Sequence, residues 1–151
     1  GGASRIWRVS PFAKDDRPIV VSPAGPGDFR VDPGGRWIAY LYPGRAGIWR
    51  RALDGEGRKL VGPEEQLVSD FAPADWMNWA VTADAIFYAS RPAGLGAGRI
   101  RRLDLLSKQL TDVADATFVH RQSSFAAGPD GELIVPIRAV EIDLFHMELT
   151  R

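Results

Sequence analysis

A turn that feeds an apolar strand recurs three times along this chain, and no other feature restricts its fold as much. The copies are Asp32-Pro33-Gly34-Gly35-Arg36-Trp37-Ile38-Ala39-Tyr40, Thr82-Ala83-Asp84-Ala85-Ile86-Phe87-Tyr88-Ala89 and Gly128-Pro129-Asp130-Gly131-Glu132-Leu133-Ile134-Val135. Anchored on Gly35, Ala85 and Gly131, they are 50 and 46 residues apart. Units of about 40 to 50 residues that each hold several short strands have the period of propeller blades, small sheets that bury their apolar faces only by stacking on a neighbour.

The strands around each turn follow one order. Before the turns stand Asp28-Phe29-Arg30-Val31, Asn78-Trp79-Ala80-Val81 and Ser124-Phe125-Ala126-Ala127, with a bulky aromatic at the second place each time. After them come alternating strands, Ile48–Leu53 closed by the hairpin turn Asp54-Gly55, and Ile100–Leu105. Arg58–Val61 and Gln109–Val113 read as short fourth strands. The expected fold is all-β, with about three four-stranded antiparallel blades in a partial propeller. It forms one domain with an incomplete blade over 1–23 and blades over 24–73, 74–119 and 120–151. Trp7, Trp37 and Trp49 are expected in the core.

The ends of the pattern are uneven. Arg5–Ser10 and Pro18–Ser22 read as third and fourth strands without inner partners, and Asp143–Leu149 as a third strand without a fourth. Open sheet edges and bare apolar faces promote association. Two arrangements resolve this: the rest of the ring lies in further sequence, or, if the chain is complete, two copies close one ring as a homodimer.

Charge excludes some partners. Nineteen Lys and Arg balance nineteen Asp and Glu, so the broad basic footprint of a nucleic-acid binder is missing, and no apolar run reaches the roughly 20 residues of a membrane span. The expectation is a segment with no direct nucleic-acid binding and no membrane contact. Without cysteine there is no disulfide, thiolate metal site or cysteine nucleophile. His120 and His146 are the only histidines, no Gly-x-Ser-x-Gly elbow occurs, and Gly94–Gly98 lacks the Lys-Ser/Thr pair of a phosphate loop. No catalytic residue, cofactor or metal is expected, and the Asp and Glu of turns read as solvated carboxylates. Arg50-Arg51 and Arg99, Arg101 and Arg102 read as a solvated face, because strand alternation sends neighbours to opposite sides.

The segments Asp32–Tyr40 and Gly128–Gly131 resemble the Ser-Pro-Asp-Gly-x-x-Ile-Ala-Phe signature of TolB-type, WD-like β-propeller repeats. Trp79–Thr82 with Ile86–Tyr88, Ile100–Leu105, and Gly128–Gly131 with Asp143-Leu144 resemble the C-terminal propeller half of bacterial CadC-like winged-helix regulators. That resemblance implies a sensory or interaction module of a transcriptional regulator, binding a protein, peptide or small ligand, with a periplasmic location slightly favoured over a cytoplasmic one. Such repeats also form the gating propeller of prolyl-oligopeptidase-like hydrolases, and a self-assembling structural half-ring is a third possibility.

Loops that lead into the inner strands of a propeller converge on its central channel, a common place for ligands. The candidate site therefore consists of Asp28 in the first such loop, Asp75, Trp76 and Asn78 in the second, and His120 and Gln122 in the third.

Overall fold

The computed structural model describes residues 4–8, 17–22, 27–56, 59–91, 98–117, 119–121, 123–128, 130–136 and 146–147, with backbone alone for 4–8, 17–22 and 146–147. The chain divides into two compact units, Gly1–Ser69 and Asp70–Arg151.

The first unit holds two antiparallel sheets. Strands β1 (Ser4–Arg8) and β2 (Arg17–Ser22) form a pair, and β3 (Phe29–Val31), β4 (Trp37–Tyr42), β5 (Arg45–Leu53) and β6 (Leu60–Val68) form a four-stranded meander in chain order. The second unit repeats the meander with β7 (Trp79–Val81), β8 (Ala85–Ser90), β9 (Arg99–Asp104) and β10 (Leu110–Asp115), and continues with a three-stranded sheet of β11 (Ala126–Ala127), β12 (Leu133–Ile134) and β13 (His146–Met147). All pairings are antiparallel between sequence neighbours. Among the described residues no helix is long and apolar enough to cross a membrane.

The recurrent turn has two geometries, which explains its irregular sequence. In the first copy Gly35 lies at φ +69, where a side chain is disfavoured, and Gly35 N donates to Asp32 O at 2.7 Å. In the second, Thr82 Oγ1 accepts from Ala85 N at 3.0 Å and donates to Asp84 Oδ1 at 2.7 Å, so a side chain holds a shorter turn. No residue there has a positive φ, and Ala85 replaces glycine without strain. Register still matches: Ile38 opposes Val31, and Ile86 opposes Val81.

Each second strand carries the core. Ile38, Tyr40 and Trp49 pack together in the first unit, and Ala85, Phe87, Ala89, Ile100, Phe125 and Leu133 in the second, all buried. Trp37 is buried as expected, while the side chain of Trp7 lies outside the described residues. The aromatics of the first strands differ from one another: Trp79 and Phe125 are buried, whereas Phe29 is 41% exposed. Phe29 shares its face of the short strand β3 with Val31, itself 46% exposed, and Arg30 between them turns to Asp28.

Hydroxyls on the second strands are tied to carboxylates. Tyr40 and Tyr42 both donate to Glu64 Oε2 at 2.5 Å, and Tyr88 and Ser90 donate to the two oxygens of Asp70 at 2.9 and 2.7 Å. Burial and the Asp70 carboxylate push the Tyr88 hydroxyl well above the usual tyrosine range. Arg101 bridges Asp70 and Asp112, Arg102 bridges Asp84 and Asp104, and Arg50 pairs with Glu65, so these cations are paired within their own units.

The fourth strand β6 runs to Val68, past the expected end at Val61, through Gly62-Pro63-Glu64-Glu65. Its edge position tolerates a proline and an acidic run that reads as loop. Gly47, at φ +114, is where β5 approaches β6: a Cβ there would lie 2.6 Å from both Gln66 Nε2 and Val68 O. Gly47→Ala is therefore expected to destabilise the first unit by about 2 kcal/mol in urea unfolding. A midpoint equal to that of the parent chain would show that the two strands separate freely.

Candidate functional site

The loop from Phe71 to Asn78 begins the second unit. Pro73 sets the backbone of a single 3-10 turn, Pro73–Asp75, in which Asp75 N donates to Ala72 O at 3.0 Å. Asn78 N then donates to Asp75 O at 2.7 Å, and Ala89 N donates to Asn78 O at 3.0 Å, which delivers the chain into β7. These bonds turn Asp75 and Asn78 inward, and both are fully buried. Trp76 faces the other way, 45% exposed, and its carbonyl accepts from Trp79 Nε1 at 3.0 Å.

Asn78 ties this loop to the next one. Its Nδ2 donates to His120 O at 2.9 Å and Ser123 O at 2.6 Å, and its Oδ1 accepts from Arg91 Nη1 at 3.1 Å. Met77 O accepts from Phe125 N at 3.2 Å, a backbone bond between the same two segments. Both hydrogens of one Nδ2 thus span the loop that leads into β11. A buried polar group persists where its partners are met, and a network of this kind fixes one geometry.

Arg91, directly after β8, is the cation of the cluster. It forms a hydrogen-bonded ion pair with Asp75 Oδ1, and its Nη2 donates to Val119 O at 2.9 Å. Arg121 approaches the same Asp75 oxygen at 3.6 Å, but its side chain is 53% exposed where that of Arg91 is 10% exposed. Among the described residues Asp75 Oδ2 has no hydrogen-bond partner. Burial pushes the Asp75 carboxyl above its ordinary value of 3.8, against the lowering influence of Arg91 and then Arg121.

The six expected site residues thus have different places. Asp75, Asn78 and the backbone of His120 meet in one bonded cluster, and Trp76 stands on its surface. Asp75 and Asn78 lie beneath that surface because the 3-10 turn directs them inward. Asp28 belongs to the first unit, where it pairs with Arg30 at 2.8 Å, and Gln122 lies outside the described residues. Sequence reasoning missed Arg91 and Arg121. The one signal for a cation is that an acid in an apolar stretch, Ala74-Asp75-Trp76-Met77, needs a partner once buried.

The cluster holds loops and displays an aromatic. Among the described residues no group of three or more His, Asp or Glu is placed to hold a metal ion.

No protein-family model matches the chain, and no curated protein does. Among solved structures, the chain is similar to TolB from Acinetobacter baumannii, with a TM-score of 0.65 and 15% sequence identity over 88% of this chain. The similarity covers 32% of the TolB chain, so this chain spans about a third of that neighbour's length. At that identity the likeness concerns the fold alone, and together with the successive antiparallel meanders it shows an all-β chain built as a partial β-propeller, similar in fold to part of TolB.

Proposed function

We propose that this chain is a non-catalytic recognition module that presents Trp76, on the loop leading into β7, to a protein or peptide partner. The observation that carries this reading is the contrast within four residues: Asp75 and Asn78 are fully buried in a bonded cluster, and Trp76 between them is 45% exposed. A large aromatic on a backbone held from below loses little entropy when it is covered, which is the character of interface hot spots. The sequence resemblance to CadC-like regulators extends the proposal to a sensory part of a bacterial transcriptional regulator, with the DNA-binding function on another segment.

Selection of a random peptide library displayed on phage tests this. The chain is expected to enrich a peptide consensus that Trp76→Ala, with an unchanged circular dichroism spectrum, fails to retain. Selection that yields no consensus, or one retained equally by Trp76→Ala, would overturn the reading.

A further inference from the structure

Among the described residues the arginines of the first unit have hydrogen-bond acceptors, with one exception. Arg30, Arg36 and Arg50 each donate to a carboxylate, and Arg51 donates twice to the carbonyl of Gly62. Arg45 is exposed and has neither a hydrogen bond nor an ion pair among the described residues. Its contacts are aromatic instead. The guanidinium carbon lies 4.4 Å from the ring centroid of Trp49 and 5.4 Å from that of Tyr42. These two rings are inclined at 69° with centroids 5.2 Å apart, and the cation rests in the corner they make. The chain builds this corner at a tight turn. Tyr42 and Arg45 are cross-strand partners on either side of Pro43-Gly44, where Pro43 presets the backbone and Gly44 lies at φ +72. Both rings are fixed from behind: the Tyr42 hydroxyl donates to Glu64 Oε2 at 2.5 Å, and a Cβ on Gly47 would lie 2.9 Å from the buried ring of Trp49.

A guanidinium on an aromatic face keeps its fork of N–H donors, and that fork matches the two oxygens of a carboxylate. A cation already held in place also loses little entropy when it binds. We infer that Arg45 is an anchor for a partner's carboxylate, the side chain of an Asp or Glu in a protein or peptide. Glu64 sets the charge of that ligand. Its carboxylate stands on the Tyr42 hydroxyl, one ring away from the guanidinium, and it repels a dianion more than a single negative charge. A carboxylate therefore suits the position better than a phosphate. This anchor belongs to the first unit and is independent of the Trp76 loop in the second, so either can fail alone.

The test titrates the full chain, at constant ionic strength and neutral pH, with the peptide acetyl-Ala-Glu-Ala-amide, its glutamine counterpart and inorganic phosphate, and follows nitrogen–proton spectra. The Nε–Hε resonance of Arg45, assigned through its own backbone, is expected to shift saturably with the glutamate peptide and to stay in place with the glutamine peptide. Arg36, which already has a carboxylate, supplies the internal reference and is expected to shift less. Binding to variants is read from the indole N–H of Trp49. Arg45→Gln is expected to weaken binding of the glutamate peptide about tenfold or more, and Arg45→Lys, which keeps the charge without the fork, about threefold or more. Circular dichroism should be unchanged in both, since the position is exposed. If either variant unfolds, the parent titration decides by itself, through the contrast between glutamate and glutamine and between Arg45 and Arg36. Equal responses to the two peptides, an equal shift at the two arginines, or unchanged affinity in a folded Arg45→Gln would overturn the anchor. Arg45→Lys binding as tightly as the parent chain would overturn the forked pairing, and tighter binding of phosphate than of the glutamate peptide would overturn the choice of a carboxylate.

Discussion

Arg91→Met is expected to destabilise the second unit by about 3–5 kcal/mol at neutral pH, because it leaves a buried carboxylate without its hydrogen-bonded cation. Met keeps much of the length of the arginine stem, so the loss reports charge and hydrogen bonds more than packing. Three bonds vanish together, to Asp75 Oδ1, Asn78 Oδ1 and Val119 O. The remaining cation, Arg121, sits at 3.6 Å with its side chain half in water and replaces little of this. The sign of the pH dependence follows from the Asp75 carboxyl, which burial holds above 3.8 in the folded chain. A raised carboxyl value favours the folded state in acid, and that contribution disappears as pH rises through the folded value. Loss of Arg91 removes the largest lowering influence and widens this window upward. The difference between variant and parent in urea unfolding is therefore expected to be largest at neutral pH and to shrink on acidification. A penalty that is the same at both ends would mean that Asp75 is not the charge at stake.

Asn78→Leu is expected to cost about 3 kcal/mol in the same measurement. Leucine keeps the branching and the number of heavy atoms of asparagine but can neither donate nor accept, so the carbonyls of His120 and Ser123 and one donor of Arg91 lose their partner in partly buried surroundings. Each such group costs about 1–3 kcal/mol, offset in part by the apolar side chain. Loosening of the Arg121–Ser123 loop should accompany the loss, seen as faster amide hydrogen exchange at Phe125, whose N–H bonds Met77 O. Unchanged exchange there, with unchanged stability, would show that Asn78 does not tie the two loops.

The fold was legible because its signals are local and repeated. An aromatic before a turn, an apolar strand after it and an alternating third strand recur at blade spacing, and each corresponds to an observed element. The limits of β6 were not legible, since a strand on a sheet edge needs no alternation and accommodates Pro63 and Glu64-Glu65. Nor was the shortened second turn, where the Thr82 hydroxyl performs the role that a left-handed glycine has in the first. In the candidate site, position along the repeat located Asp75, Trp76 and Asn78 on the loop before β7, and the single 3-10 turn then decided which of them faces inward. The partners of the buried pair were invisible: Arg91 is 16 residues from Asp75, and Ser123 is 45 from Asn78. Long-range polar pairing has no period in sequence, so only the folded chain reveals it.

The most direct test of the recognition role is the dissociation constant of the best selected peptide, measured by calorimetry for the parent chain and for Trp76→Ala. Loss of a central aromatic from an interface costs about 2 kcal/mol or more, so a weakening of roughly thirtyfold is expected, with the unfolding midpoint unchanged. Equal dissociation constants would place the binding surface elsewhere and contradict the account.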